Sequence, residues 1–292
     1  MPTTLPQAAI GILGGSGLYQ MDALENVTEH FVDTPFGKPS DALICGTINS
    51  VPVVFIARHG RGHRLLPTEV PYRANIFALK QCGVKYLISL SAVGSLQEQL
   101  APKHMVIPDQ YIDFTKKRDS SFFGSGAVAH VPMAQPVCPN LADVLAQSVE
   151  SLEEESQVTL HRGGTYVAIE GPQFSTLAES LWYRSMGASI LGMTNMPEAK
   201  LAMEAQMAYA SLAMVTDYDC WHPHEEQVSA DMAIRNLMEN AAKAQKIVID
   251  LVKRIDQQKP VSNAHSILST SLVTPLDAMD EGTKAIVDIL RK

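Results

Sequence analysis

Residues 51–94 read VPVVFIARHGRGHRLLPTEVPYRANIFALKQCGVKYLISLSAVG. The stretch opens on the apolar run Val51–Ala57, rich in β-branched side chains, which reads as a buried strand. A basic turn follows. From residue 72 to 82, Tyr72, Asn75, Ile76, Leu79 and Lys80 then recur at helical spacing. Residues 84–90 form a second apolar run, which ends in Ser91-Ala92-Val93-Gly94-Ser95. Strand, helix and strand in this order make up the unit from which α/β sheets are built.

The alternation continues outward. Residues 9–13, 105–107, 111–114, 165–169, 190–193 and 208–215 read as further strands. Residues 141–152, 176–186 and 197–207 read as helices, the last with Pro197 in its first turn. The longest helix is expected over 229–255, with Ser229 as its cap. Residues 259–275 carry two prolines and many hydroxyl residues and read as an extended arm, closed by a short helix near 280–290. The expectation is one α/β domain over 1–292, a central mixed β-sheet flanked by helices, with a C-terminal arm and helix from about residue 259.

Composition narrows the function classes. The chain has 292 residues, is 46% hydrophobic and carries a formal net charge of −8. An acidic balance lacks the basic footprint of nucleic-acid binding. The four cysteines, Cys45, Cys82, Cys138 and Cys220, include no C-x-x-C pair, so reduced thiols in the cytosol are expected rather than a disulfide framework. The first residues lack a basic leader, and no run approaches the ~18 uncharged apolar residues of a membrane span.

In open α/β sheets, ligands sit beyond the carboxyl ends of the strands. The predicted strands end in polar or charged residues there: Ser16, Arg58 and His59, Ser91, Glu170, Thr194 and Asp217. Gly14-Gly15-Ser16-Gly17 lets the backbone turn sharply and expose N–H groups to an anion. It is neither a dinucleotide fingerprint nor a Walker loop. Arg58 and His59 open a run with three arginines and two histidines, and a guanidinium offers a planar fork to phosphate oxygens. A solvated basic loop is the plainer alternative.

Thr216-Asp217-Tyr218-Asp219 is the most informative turn. Two carboxyls two residues apart at a strand end can face the same side. One, protonated, can donate to a purine N7, while the other, ionised, accepts from an exocyclic amine. Neighbouring carboxyls separate their pKa values in the way this division requires. Phe174 offers a ring for stacking and Ser175 a hydroxyl, although a buried anchor is an equally common role for phenylalanine. Met193 is open to a similar choice between core packing and a ribose contact. Glu198 reads as ordinary helix-end chemistry. His222, His224, Glu225 and Glu226 lack a zinc-site spacing, and no metal is expected. Cys220 has no evident base and is not expected to act as a nucleophile.

Taken together, these stretches resemble the methylthioadenosine phosphorylases of the trimeric purine nucleoside phosphorylase superfamily. The likeness rests on GILGGSGLY from Gly11, DTPFGKPSDALICG from Asp33 and FIARHGRGHRLLPTEVPYRANIFALK from Phe55. It continues through SAVGSL from Ser91, HVPMAQPVCP from His130, AIEGPQFSTLAES from Ala168, GMTNMPEAKLAMEA from Gly192 and TDYDCWHPHEE from Thr216. It spans roughly residues 9–255 and leaves the tail unaligned.

The resemblance implies phosphorolysis of 5′-methylthioadenosine by inorganic phosphate in a cytoplasmic homotrimer. Phosphate is then a co-substrate, with no cofactor, no nucleic acid and no membrane involved. It places phosphate on Ser16, Arg58, His59, Ser91, Ala92 and Thr194, and ribose on Met193. The base falls on Phe174, Ser175, Asp217 and Asp219, with Asp217 as the catalytic acid. His130, supplied by a neighbouring subunit, and Ala230, Ala233 and Ile234 form the methylthio pocket. Ser16 and Ser91 stand where animal members carry threonine, and the hydroxyl is kept. A 6-oxopurine phosphorylase and a non-catalytic nucleoside-binding protein are the alternative readings.

Overall fold

The computed structural model describes residues 5–15, 21–152, 158–223 and 230–292; the side chains of 230–235 and 237–239 lie outside that description. Among the described residues, eleven strands form one mixed sheet. In chain order they are β1 (Ile10–Gly14), β2 (Glu25–His30), β3 (Leu43–Ile48), β4 (Val51–Ala57), β5 (Tyr86–Ser95), β6 (Met105–Ile107), β7 (Gln110–Asp113), β8 (Leu160–Arg162), β9 (Thr165–Ala168), β10 (Ile190–Gly192) and β11 (Ala208–Asp217). The helices are α1 (Tyr72–Gln81), α2 (Pro139–Glu150), α3 (Leu177–Ser185), α4 (Asn195–Glu204), α5 (Ala230–Gln258), α6 (Leu268–Ser271) and α7 (Glu281–Leu290).

β1, β4, β5 and β11 are the parallel heart of the sheet, with β1 between β4 and β5, and β11 on the other side of β5. Their side chains divide by alternation. Leu13, Val54, Ile56 and Leu87 pack into one core with α1 and α4. Ile10, Ile12, Val53, Phe55 and Ile88 pack into a second core with α2 and α5. Burial on both faces is why these strands appear in the sequence as unbroken apolar runs.

β5 runs five residues past the predicted end at residue 90, to Ser95. Its first half pairs with β1 and its last two residues pair with antiparallel β10. That handover carries the sheet on into β10, β9 and β7. Three strands have no counterpart in the predicted set: β2, β3 and β8. β2 reads ENVTEH and is exposed along nearly all its length, an edge strand whose charges protect its open side. Without an apolar period it gives no strand signal. α4 begins at Asn195 rather than 197, and Thr194 is its cap. α3 begins where expected, because Thr176 and Glu179 form a reciprocal capping box.

The expected arm is partly helical, with a 3₁₀ turn at Asn263–Ser266 before α6 and a second at Leu276–Ala278. It is strapped to the domain by His265 Nε2 at 3.1 Å from Lys85 O, Leu268 N–H to Gln206 Oε1 at 3.0 Å and Val273 N–H to Val128 O at 2.8 Å. Leu268 and Leu290 are buried in the first core. Among the described residues no helix is long and apolar enough to cross a membrane.

Candidate active site

The ends of β1 and β4 meet at the Arg58 N–H, which donates to Gly14 O at 2.9 Å. The Arg58 side chain then turns into the core, where it is 3% exposed. Its Nε donates to Glu198 Oε2 at 2.8 Å and its Nη2 to Glu198 Oε1 at 3.2 Å, a two-point ion pair with a buried carboxylate. Nη2 also reaches Ser89 Oγ at 2.7 Å, and Nη1 reaches Leu90 O at 3.0 Å. Tyr209 Oη donates to Glu198 Oε1 at 2.9 Å. Burial works against the guanidinium charge, but Glu198 outweighs it and holds the proton more tightly than usual. Glu198 is therefore not the helix-end residue that its position in the first turn of α4 suggested. A buried arginine needs such a partner.

Next in the chain, His59 Nδ1 sits 2.9 Å from Leu65 O, and the ring stacks on His63 with centroids 4.2 Å apart. A carbonyl only accepts, so Nδ1 carries the proton and Nε2 is left as an acceptor. Burial first, and Arg58 second, push the His59 pKa down to about 4, so the ring is neutral at physiological pH.

Ser91 and Thr194 are both buried, and Ser91 Oγ has no hydrogen-bond partner among the described residues. The β5–β10 ladder pairs Ser95 with Ile190 and Gly94 with Leu191. The ladder ends there: β10 stops at Gly192, and the chain bends at Met193 and Thr194 into α4. Ala92 is exposed and Met193 half-buried at this edge.

β11 ends beside the same part of β5, with Asp217 paired to Gly94. Asp217 Oδ2 accepts from the Thr216 hydroxyl at 2.7 Å, and Oδ1 accepts from Asp219 N–H at 2.9 Å. Burial raises the Asp217 pKa against these two donors. Burial also lifts Asp219, to about 6; the Ser180 hydroxyl opposes the rise and the neighbouring Asp217 charge adds to it. The hydroxyls of Ser175 and Ser180 face this carboxyl without reaching hydrogen-bond geometry. Asp219 Oδ2, Ser175 Oγ and Ser180 Oγ are all buried and unpaired among the described residues. Such a cluster of unmet polar atoms suits a ligand that carries both donors and acceptors. Phe174, next to Ser175, is 47% exposed, so its ring is available to a ligand rather than used as a core anchor.

Arg118 is a residue the sequence reading missed. Its side chain is 1% exposed. Nη1 donates to Met193 O at 2.5 Å and Met196 O at 2.7 Å, Nη2 to Glu170 O at 2.7 Å, and Nε to Glu170 Oε1 at 3.0 Å. One guanidinium thus ties together the turn bearing Met193 and Thr194 and the turn leading to Phe174 and Ser175. The only signal available was an arginine closing the basic run Lys116-Lys117-Arg118, which reads as surface.

Other expected members lie apart or outside the description. His130 is exposed, and its backbone N–H donates to Ser271 O of the arm at 2.9 Å. Ser16 lies outside the described residues, as do the side chains of Ala230, Ala233 and Ile234. His224, Glu225 and Glu226 are likewise not described, and His222 Nε2 lies 3.0 Å from Glu98 Oε1. No group of three metal-ligating side chains occurs among the described residues. Cys220 Sγ donates to Ser175 O at 3.4 Å, and burial raises its pKa, which is unsuited to a nucleophile.

Comparison with known proteins supports what this geometry suggests. Residues 9–253 match the family described as the Phosphorylase superfamily. The chain is 58% identical over 283 residues to the S-methyl-5′-thioadenosine phosphorylase of Thermosynechococcus vestitus, covering 97% of this chain and 98% of that protein. The protein of the same name from Geobacter sulfurreducens is 49% identical over 286 residues, covering 97% and 98%. Among solved structures, a methylthioadenosine phosphorylase from an Antarctic soil metagenomic library superposes with a TM-score of 0.93 at 57% identity, covering 98% of this chain and 99% of that one. A variant of the adenosine/methylthioadenosine phosphorylase of Schistosoma mansoni, in complex with adenine, superposes with a TM-score of 0.82 at 36% identity, covering 97% and 98%. With the fold, the order of its motifs and nearly the whole length in agreement, this chain belongs to the Phosphorylase superfamily.

Proposed function

We propose that the chain uses inorganic phosphate to cleave 5′-methylthioadenosine into adenine and 5-methylthioribose 1-phosphate, a step of methionine and purine salvage. The observation that carries this reading is the buried pair Asp217 and Asp219, whose proton affinities are both raised, set against Gly94 of β5.

Adenine leaves poorly as an anion. A proton delivered to N7 by Asp217 makes the leaving group neutral, and general acid help of this kind contributes roughly 10²–10⁴-fold. The partner carboxylate accepts from the 6-amino group. A 6-oxopurine offers a carbonyl at that position, which a carboxylate rejects, and such mismatches cost roughly 10⁴-fold or more. Phosphate is held by the Ser91 and Thr194 hydroxyls, the Ala92 backbone, the remaining Arg58 donor and Ser16. Neutral His59 offers Nε2 to a phosphate oxygen that keeps its proton. Bound beside the anomeric carbon, phosphate is both nucleophile and counter-charge to the developing oxocarbenium ion. No metal or organic cofactor takes part.

The decisive assay measures adenine release from methylthioadenosine with and without phosphate. Release that needs phosphate supports the reading; binding without turnover would leave a nucleoside-binding protein in its place. Asp217→Asn is expected to lower kcat by at least 10²-fold while the protein stays folded, and near-normal turnover would remove Asp217 from its role.

A homotrimer accounts for two further features. The α3 residues Leu177, Leu181 and Trp182 are 54%, 51% and 52% exposed, a row of large apolar side chains on one helix face next to Phe174. His130, exposed and away from the other site residues, then serves a neighbouring subunit. Four cysteines without a disulfide suit the reducing cytosol.

A further inference from the structure

Two ties hold the inward face of α3 against the turn that follows β11. Cys220 Sγ donates to Ser175 O, just ahead of the helix, at 3.4 Å. Near the other end of α3, Arg184 Cζ lies 3.4 Å from the centroid of the Trp221 ring, and Trp221 Nε1 donates to Ser95 O at 2.7 Å. Ser180 sits between these ties and is 0% exposed, on a helix whose Leu177, Leu181 and Trp182 are turned to the outside. Its N–H donates to Thr176 O at 3.0 Å, within the turn closed by the Thr176–Glu179 capping box, so its backbone is fixed. Across from it, Asp219 is buried, in a left-handed conformation with φ 50° and with its N–H held by Asp217 Oδ1. β5 closes a third side: a Cβ added to Gly94 would stand 3.5 Å from Asp219 Cβ.

Ser180 Oγ and Asp219 Oδ2 are both buried without a hydrogen-bond partner among the described residues. Burial raises the proton affinity of Asp219, and the Ser180 hydroxyl is the strongest influence against that rise. Asp217 adds to the rise, and Tyr183 and Glu179 of α3 and Cys220 are further titratable groups packed about this turn. Arg184 spends its charge on the Trp221 ring and on Leu96 O. A serine hydroxyl turns about one bond without moving its helix, and it can donate to a carboxylate oxygen. Such a bond is stronger when the oxygen is charged, so it favours the ionised form of Asp219.

We infer that Ser180 is a specificity-determining positioning residue of the base site: by donating to Asp219 it holds that carboxylate as an acceptor for the 6-amino group of the purine, and so sets the preference for a 6-amino over a 6-oxo base. The inference rests on the proposed reading of the Asp pair as the adenine site, and Ser180 acts through Asp219 rather than on the base. Without the hydroxyl, Asp219 keeps its proton to higher pH, and a protonated carboxyl can donate to a 6-oxo group. Discrimination between the two bases then narrows, whereas a purely structural loss would weaken both alike.

The test is calorimetric titration of adenine and of hypoxanthine, over a series of pH values from 5 to 8, into the wild-type chain, Ser180→Ala and Ser180→Thr. Alanine is a strong helix former, so the first variant keeps α3. The wild type is expected to prefer adenine, with an affinity that falls below a pH of about 6 as Asp219 takes up its proton. In Ser180→Ala that fall is expected at higher pH, and the preference for adenine over hypoxanthine at pH 7 drops roughly tenfold, the change that one pKa unit gives. Ser180→Thr keeps the hydroxyl and should return both readings toward the wild type. An unchanged preference and pH profile in Ser180→Ala, or an equal weakening of both bases with no shift in pH, overturns the inference. Phosphate-dependent adenine release by the wild type judges the catalytic reading separately, because base binding needs no turnover. A wild type that releases adenine while Ser180→Ala keeps its preference would sink the inference alone; a wild type that binds neither base removes the base-site reading and the inference with it.

Discussion

The residues that matter most at the site are held in unfavourable states or spend their bonds on one another. Asp219 is buried and its pKa rises from 3.8 to about 6. The folded protein therefore binds the proton that the unfolded chain has released, and stability from this group is full below 3.8 and lost as pH rises through 6. The loss amounts to about 3 kcal/mol. Asp219→Asn should raise Tm by several degrees at pH 8, give no gain at pH 4, and lose activity; thermal melts at the two pH values check it. His59 has the opposite sign: its folded pKa of about 4 lies below the unfolded 6.5, so its contribution is full above 6.5 and lost as pH falls through 4. Removing Asp219 should therefore leave a stability curve that rises with pH between 4 and 6.5 more steeply than in the wild type. Arg118 makes a different prediction. Lysine cannot reproduce a fork that reaches carbonyls in two turns. Arg118→Lys should keep the fold while kcat/KM for both nucleoside and phosphate falls about 10²-fold, the scale of a small misplacement of reacting groups. Steady-state kinetics with each substrate varied in turn would show it, and an unchanged rate would mean the two turns hold without the clamp.

The elements show why the turns lie where they do. β10 is only three residues long, yet it joins β5 to β9 and delivers Met193 and Thr194. Its last residue, Gly192, packs directly under the Tyr166 hydroxyl of β9, where a Cβ would overlap the ring. Gly192→Ala should cost about 1–3 kcal/mol, the usual penalty of overpacking. Adding Tyr166→Phe should restore part of it, as chemical denaturation of the single and double variants would reveal. At the site, the strands were readable because both faces are buried, and the turns were readable because hydroxyl, basic and acidic residues follow them. The Arg58–Glu198 pair was not. Its partners stand 140 residues apart, and nothing local to β4 or α4 announces that they meet. Glu198→Ala would leave the guanidinium buried alone, and a loss of about 3–5 kcal/mol is expected.

For the whole molecule, the sheet divides at β5, and that division makes the site. The first part of the strand belongs to a parallel core, while its end turns to β10, so donors from two halves of the sheet converge on one edge. The apolar row of α3 beside that edge makes assembly a testable matter. Trp182→Glu with Leu181→Glu should yield a monomer by sedimentation and lower turnover if His130 acts across the interface. The amino-acid sequence alone determined the α/β class, the principal strands and helices, and the polar turns that end them, since hydrophobic period and turn chemistry are local properties. Only the tertiary structure decided that Arg58 is neutralised by Glu198, that Arg118 ties two turns together and that burial raises the proton affinity of both Asp217 and Asp219. Each of these depends on distance and burial between segments far apart in the chain, and electrostatic energy is set by what surrounds a charge in space rather than by its neighbours in sequence.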